Sequence, residues 1–257
     1  MPTVIAVDAM GSDRAPKPEV EGAIQAARLY GVRVLLVGPE STVKAELARH
    51  RGAARLPVEI VHANEYITME DKVEAIRAKR DSSIRVGLRL VREGRAAGFV
   101  TAGNTGAAMA TAKMVLGALP GVDRPALAAA FPTVLNTAAV LLDVGANVDC
   151  TAAELVGFAH LGVLYARDVM GRSDPVVGLL NIGEEEEKGN AATKEAHRLL
   201  RESGYDKEHL GADERELRRV DHVRQRARGH EDRAGLVAAV HHAVRAAVVT
   251  AIAVTLP

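Results

Sequence analysis

Tryptophan is absent from this 257-residue chain, and aromatic residues amount to only 3% of it. A core without large rings has to be filled by Val, Leu, Ile and Ala. Cysteine is almost absent too: Cys150 alone excludes an internal disulfide and a multi-thiolate metal site, and it fits a reducing compartment. Net charge is missing as well, with 33 Lys plus Arg against 33 Asp plus Glu. No global field is therefore available to hold nucleic acid or an anionic membrane, and binding has to come from a local site. The start, Met1-Pro2-Thr3-Val4, carries neither a basic region nor a long apolar core, so no signal peptide is read and a cytoplasmic protein is expected. Neither Gly-x-Gly-x-x-Gly nor a P-loop ending in Gly-Lys-Ser/Thr occurs, which leaves a nucleotide cofactor unsupported. The nine histidines show no metal-ligand spacing, and no metal is expected.

What is present is alternation. Short apolar runs at 4–8, 34–37, 58–61, 98–101, 127–131, 138–143 and 176–181 read as strands, and helical periodicity runs through 18–30, 72–79, 84–93, 105–116, 152–168 and 191–202. The pattern predicts an α/β fold, a three-layer α-β-α sandwich with a mostly parallel sheet whose strands are buried on both faces. Thr151-Ala-Ala-Glu154 spells a capping box. The one sharp compositional change follows Ser203, so residues 1–204 are expected as one domain.

In an open α/β sheet, ligands bind beyond the carboxyl ends of the strands, where helix amino termini present free amides. Four segments end strands there and combine Gly with Asp or Asn. They begin at Asp8, Thr101, Asp143 and Asn181. Gly103-Asn104-Thr105-Gly106 fits a phosphate cradle, its glycines permitting a tight turn and close approach; the competing reading is a plain strand-to-helix turn. Lys188 offers a compact positive charge to an anion, or is a solvated surface lysine. Glu184 to Glu187 read as solvent-facing, since consecutive side chains diverge. Asn147 and Asp149 either orient a substrate or cap the following helix. Cys150 lacks a paired base and reads as a structural thiol. His62 and His160 read as core or surface residues.

Together these segments are more specific than any one of them. Ile5-Ala-Val-Asp-Ala-Met-Gly-Ser-Asp13 with Ala15-Pro16, Phe99-Val-Thr-Ala-Gly-Asn-Thr-Gly-Ala107, Leu141-Leu-Asp-Val-Gly-Ala-Asn-Val-Asp149 and Val177-Gly-Leu-Leu-Asn-Ile-Gly183 through Lys188-Gly189-Asn190 resemble the bacterial phosphate acyltransferase family in order and spacing. Glu65, Ile67, Met69 and Asp71, followed by Arg77, Lys79, Ser82 and Ser83, resemble a further block of it. The resemblance covers about residues 3 to 203. It implies a fold similar to the phosphotransacetylase and isocitrate dehydrogenase group and a homodimer. It also implies transfer of a long-chain acyl group from acyl-acyl carrier protein to inorganic phosphate, for phospholipid synthesis. No organic cofactor or metal is implied. The product would feed a membrane glycerol-3-phosphate acyltransferase, which implies peripheral membrane contact.

Two positions depart from the family pattern: Ser12 stands where a second Gly is usual, and Lys72 where Pro is usual. The expected site places phosphate on Gly103, Asn104, Thr105 and Gly106, with Lys188 offsetting charge and Asp8 and Asn147 orienting the reactants. Gly11, Asp13, Asn181, Gly183 and Asn190 complete the substrate loops. The rivals are a short-chain phosphotransacetylase using acyl-coenzyme A and an inactive phosphate- or lipid-binding module. A dehydrogenase is disfavoured by the missing dinucleotide fingerprint. Residues 205–257 diverge from the family. Five of the nine histidines and a dense set of arginines fall there, a composition that reads as a frame-shifted, helical or disordered tail.

Overall fold

The computed structural model describes residues 2–118, 122, 124–132, 138–143, 149–179, 189–203 and 252–255. Its contacts divide the chain into two compact units, Met1–Ala118 and Leu119–Pro257, so the boundary falls within the span expected as one domain.

The first unit is built on four parallel strands, β1 (Val4–Asp8), β2 (Arg33–Gly38), β3 (Val58–His62) and β4 (Gly98–Val100), in the order β3-β2-β1-β4. Helices α1 (Lys17–Tyr30) and α2 (Glu40–Leu47) connect the first three strands. Helices α3 (Val73–Ala78) and α4 (Ser83–Arg92) lead to β4, which α5 (Thr105–Leu116) follows. The period of two along each strand sorts side chains between the faces. Val34 and Leu36 pack with Val20, Ala23, Ile24 and Ala27 of α1 and Val43 of α2, while Leu35 and Val37 pack with Val86 and Leu90 of α4. The result is the three-layer arrangement the sequence predicts. Each fully buried aliphatic side chain, such as Leu36, contributes about 1.5–3 kcal/mol. Helix α5 packs with α3 and α4 through Ile76, Ile84, Leu88 and Ala107, and so lies on the α4 side of the sheet.

The second unit differs from expectation. Strands β5 (Ala128–Pro132), β6 (Ala138–Leu142), β7 (Val176–Leu179) and β8 (Ile252–Thr255) pair in the order β5-β6-β8-β7, and every pairing is antiparallel. Only residues 133–137 join β5 to β6, too few for the crossover a parallel pair needs. Apolar runs of this length do not distinguish the two pairings. Strand β8 lies in the segment expected as a helical or disordered tail; its β-branched Ile-Ala-Val-Thr sequence fits a strand. Helices α6 (Ala152–Asp168) and α7 (Ala191–Glu202) bury Leu155, Phe158, Ala159, Val163, Ala196 and Leu200 with Val140, Leu142 and Val177.

The capping box at the start of α6 forms as predicted. The Glu154 amide donates to Thr151 Oγ1 at 3.3 Å, and the Thr151 amide to Glu154 Oε2 at 2.8 Å.

Candidate functional site

In the first unit the chain steps from β1 to β2 to β3 along one face, then returns across the other face to place β4 on the far side of β1. The carboxyl ends of β1 and β4 therefore flank the point where strand order reverses, the place where open α/β sheets take their ligands. Two of the four expected segments meet there.

Asp8 ends β1 with 1% of its surface exposed. Its Oδ1 accepts from the Met10 amide at 3.0 Å, and its Oδ2 accepts from the Thr101 hydroxyl at 2.8 Å. Thr101 Oγ1 in turn accepts from the Gly103 amide at 3.0 Å. A carboxylate on the first strand thus sets the loop after the fourth. Burial pushes the Asp8 carboxyl above its ordinary value, Ser83, Met10 and Thr101 oppose that rise, and the Glu19 charge adds to it. Ser83, fully buried, favours the ionised carboxylate although its Oγ falls short of a well-formed hydrogen bond. Glu19, on α1, accepts from the Ser12 amide at 2.9 Å through Oε1; its Oε2 and the Ser12 Oγ are buried with no partner among the described residues.

The two loops touch through glycine. A Cβ on Gly11 would lie 2.9 Å from both the Gly103 amide nitrogen and Thr101 Oγ1, and a Cβ on Gly103 would lie 3.0 Å from the Gly11 carbonyl oxygen. Close approach, not a left-handed backbone, is what demands glycine here, since neither residue has a positive φ. Gly106 is different and corrects the expected turn. It is the second residue of α5 and has no positive φ, and an added Cβ would meet only Asn104 Oδ1 at 3.5 Å. The helix begins this early because Asn104 caps it, its Oδ1 accepting from the Ala107 amide at 3.0 Å. The exposed Thr105 and Gly106 have amides with no acceptor among the described residues, and the positive end of the α5 dipole adds to them. Asp13 is exposed beside this crevice.

Of the remaining expected residues, Asn190 caps α7, its Oδ1 accepting from the Thr193 amide at 2.8 Å. Lys188, Asn147, Asn181 and Gly183 lie outside the described residues. The two departures sit where they cost little. Ser12 keeps a negative φ, and Lys72 precedes α3 at φ −79°, a value Pro also adopts. Cys150 donates its thiol to Asp143 Oδ2 at 3.2 Å; burial and then that carboxylate push its pKa up to about 12, so the thiol stays protonated at neutral pH. Asp143 itself holds a left-handed backbone, φ 64°.

The sequence reading missed Thr101 as the partner of Asp8, and Glu19 as the acceptor of the Ser12 amide and a like charge near Asp8. A hydroxyl placed directly after a strand at the carboxyl edge was the available signal for Thr101. Among the described residues, no cluster of three or more His, Cys, Asp or Glu is placed to hold a metal ion, and no helix is long and apolar enough to cross a membrane.

A family model described as fatty acid synthesis protein matches residues 3–216. The phosphate acyltransferase of Koribacter versatilis (strain Ellin345) is 64% identical over 207 residues, which cover 78% of this chain and 58% of the relative. That of Acidobacterium capsulatum is 60% identical over 202 residues, 78% of this chain and 60% of the relative. That of Pelobacter propionicus is 49% identical over 200 residues, 77% of this chain and 57% of the relative. The chain thus spans about six tenths of the length of these relatives.

Proposed function

Because the chain belongs to the fatty acid synthesis protein family over residues 3–216, we propose that it moves a long-chain acyl group from an acyl-carrier-protein thioester to inorganic phosphate. The observation that carries this reading is the pair of interlocked glycine loops at the strand-order reversal, followed at the start of α5 by the exposed residues Thr105 and Gly106, whose amides have no acceptor among the described residues.

In this reading phosphate rests on those two amides, its negative charge favoured by the helix terminus. A phosphate oxygen attacks the thioester carbonyl carbon, forming a C–O bond and a tetrahedral oxyanion. Collapse breaks the C–S bond, and the carrier leaves as a thiolate that takes up a proton from solvent. A thiolate is a good leaving group, so positioning and positive charge suffice. Lys188 supplies that charge, Asn147 orients the thioester, and no covalent acyl-enzyme through Cys150 is needed. Asp8 acts at one remove, since both of its oxygens are engaged: it fixes Thr101, and through it Gly103. Gly11, Asp13, Asn181, Gly183 and Asn190 belong to the substrate loops.

The protein works in the cytoplasm as a homodimer and hands acyl phosphate to a membrane glycerol-3-phosphate acyltransferase. The deciding experiment incubates the full chain with palmitoyl-carrier protein and phosphate and traps acyl phosphate with hydroxylamine. Hydroxamate formation that depends on phosphate is expected. Phosphate binding without turnover would instead favour an inactive binding module, and faster turnover of acetyl-coenzyme A would favour the short-chain reaction.

A further inference from the structure

A cavity of about 610 Å³ opens within the first unit, on the α1 side of the sheet. Its floor is Ile5, Val7 and Val100, the strand residues that face away from α4, and its wall is Gly22 and Ala26 of α1. Two causes make the space. Helix α5 packs on the opposite face, leaving Val100 54% exposed, and α1 carries no bulky side chain at these wall positions. From Pro18 to Ala26 the wall runs about 12 Å. The volume is that of a small-molecule site, and apolar walls with a few convergent polar groups are the usual make-up of one.

One end of the trough is polar and is the site already described: Asp8, Ser12, Asp13, Glu19 and Thr101 line it, and Arg14 adds one cation to the same lining. Glu19 is 8% exposed, and its Oε2 has no partner among the described residues, which leaves an acceptor for a donor on a ligand. Three carboxylates, Asp8, Asp13 and Glu19, stand against the single guanidinium of Arg14, so the lining keeps an acidic excess that opposes a second anion. A free fatty acid would bring its carboxylate against that excess, which Arg14 offsets only in part, whereas a thioester presents an uncharged carbonyl.

We infer that this trough is the acyl subsite. It takes the hydrocarbon chain of an acyl thioester along α1, with the thioester carbonyl at the Asp8–Thr101 end beside the amino-terminal amides of α5, and it discriminates against free fatty acids by charge. The inference rests on the acyl-transfer reading and adds where the chain lies and which head group is admitted.

Gly22→Phe tests it, because an added Cβ at Gly22 meets nothing within 4 Å and Gly is a poor helix former, so the ring extends over the trough without straining α1. Calorimetry on the full chain, below the micellar range, uses palmitoyl-pantetheine, butyryl-pantetheine and palmitate. The wild type is expected to bind the palmitoyl thioester at least about tenfold tighter than either of the others. Gly22→Phe is expected to lose at least about tenfold in palmitoyl affinity and to leave phosphate affinity unchanged. Unchanged palmitoyl affinity in Gly22→Phe, equal binding of palmitate, or no thioester binding at all would overturn the assignment. Hydroxamate assays keep the two readings apart. Turnover with an unaltered chain-length preference in Gly22→Phe sinks the trough alone, and chain-dependent binding without turnover sinks acyl transfer alone.

Discussion

Substituting Gly103 by Ala asks whether the contact between the two loops holds the site. The new methyl carbon would sit 3.0 Å from the Gly11 carbonyl oxygen, 3.1 Å from Gly11 Cα and 3.2 Å from Thr101 Oγ1. Two of those neighbours are backbone atoms of a loop anchored by the buried Asp8, so the strain cannot be relieved by a side-chain rotation. Overpacking of this kind costs about 1–3 kcal/mol. The smaller conformational entropy of an unfolded alanine returns about 0.4–1 kcal/mol. A net loss of about 1–2 kcal/mol in stability is expected, measured by urea unfolding. The larger consequence is local, because the loops separate and the Thr101–Gly103 hydrogen bond opens, which removes the support of the α5 amides. Phosphate affinity by calorimetry is expected to fall by about tenfold, equivalent to about 1.4 kcal/mol. Gly106→Ala is the matched control. Its methyl carbon meets Asn104 Oδ1 at an ordinary 3.5 Å inside a helix, where Ala is favoured over Gly by about 1 kcal/mol. Stability should hold or rise. If Gly106→Ala destabilises the protein as much as Gly103→Ala does, the interlocked loops are not what makes glycine necessary here.

Three further outcomes are expected. Asp8→Asn should flatten the pH dependence of stability: the raised folded-state pKa means the unfolded chain releases the Asp8 proton first, so wild-type stability falls as pH rises from about 3.8 through the raised value, a slope that superimposable denaturation profiles for the two proteins would exclude. Alkylation of Cys150 by iodoacetamide, followed by mass spectrometry, should be slow at neutral pH and faster in Asp143→Asn, which removes the carboxylate while tolerating a left-handed backbone; the gain should be partial because burial is the larger cause, and equal rates would show that Asp143 does not hold the thiol protonated. Lys188→Ala should lower hydroxamate formation by at least about tenfold without changing the unfolding midpoint, and full activity in that variant would remove Lys188 from the reaction.

Much of the fold was legible because its signals are local. Every strand from β1 to β7 and the helices α1 and α3 to α7 lie where apolar runs and 3.6-residue periodicity put them, and Thr151 with Glu154 announced the start of α6. Helix α2 was not seen: it spans eight residues, its buried apolar anchor is Val43, and Gly38-Pro39 ahead of it reads as a turn. The antiparallel second sheet was not seen either, since Val, Leu and Ala in β6 and β7 are compatible with both pairings and the short β5–β6 connection was not weighed. In the site, Asp8 and Gly103 to Gly106 could be picked out as residues after strands, but not what links them. The Asp8–Thr101 hydrogen bond joins positions 93 residues apart, and no spacing rule within one strand or helix reports it. Gly11 and Gly103 carry the same lesson. Each looks like a turn residue locally, and the reason for each is the other.

The position of β8 has a temporal consequence. In the first unit, every strand finds its neighbours within the first hundred residues, so that unit can mature while the rest of the chain is still being synthesised. In the second unit, β6 and β7 do not pair with each other; Ile252–Thr255 lies between them and bonds to both. Loop closure across roughly a hundred residues has to come before that sheet is complete, which makes it the slower half to assemble. Until then, the facing edges of β6 and β7 stand open to any other extended strand, including those of a second nascent chain.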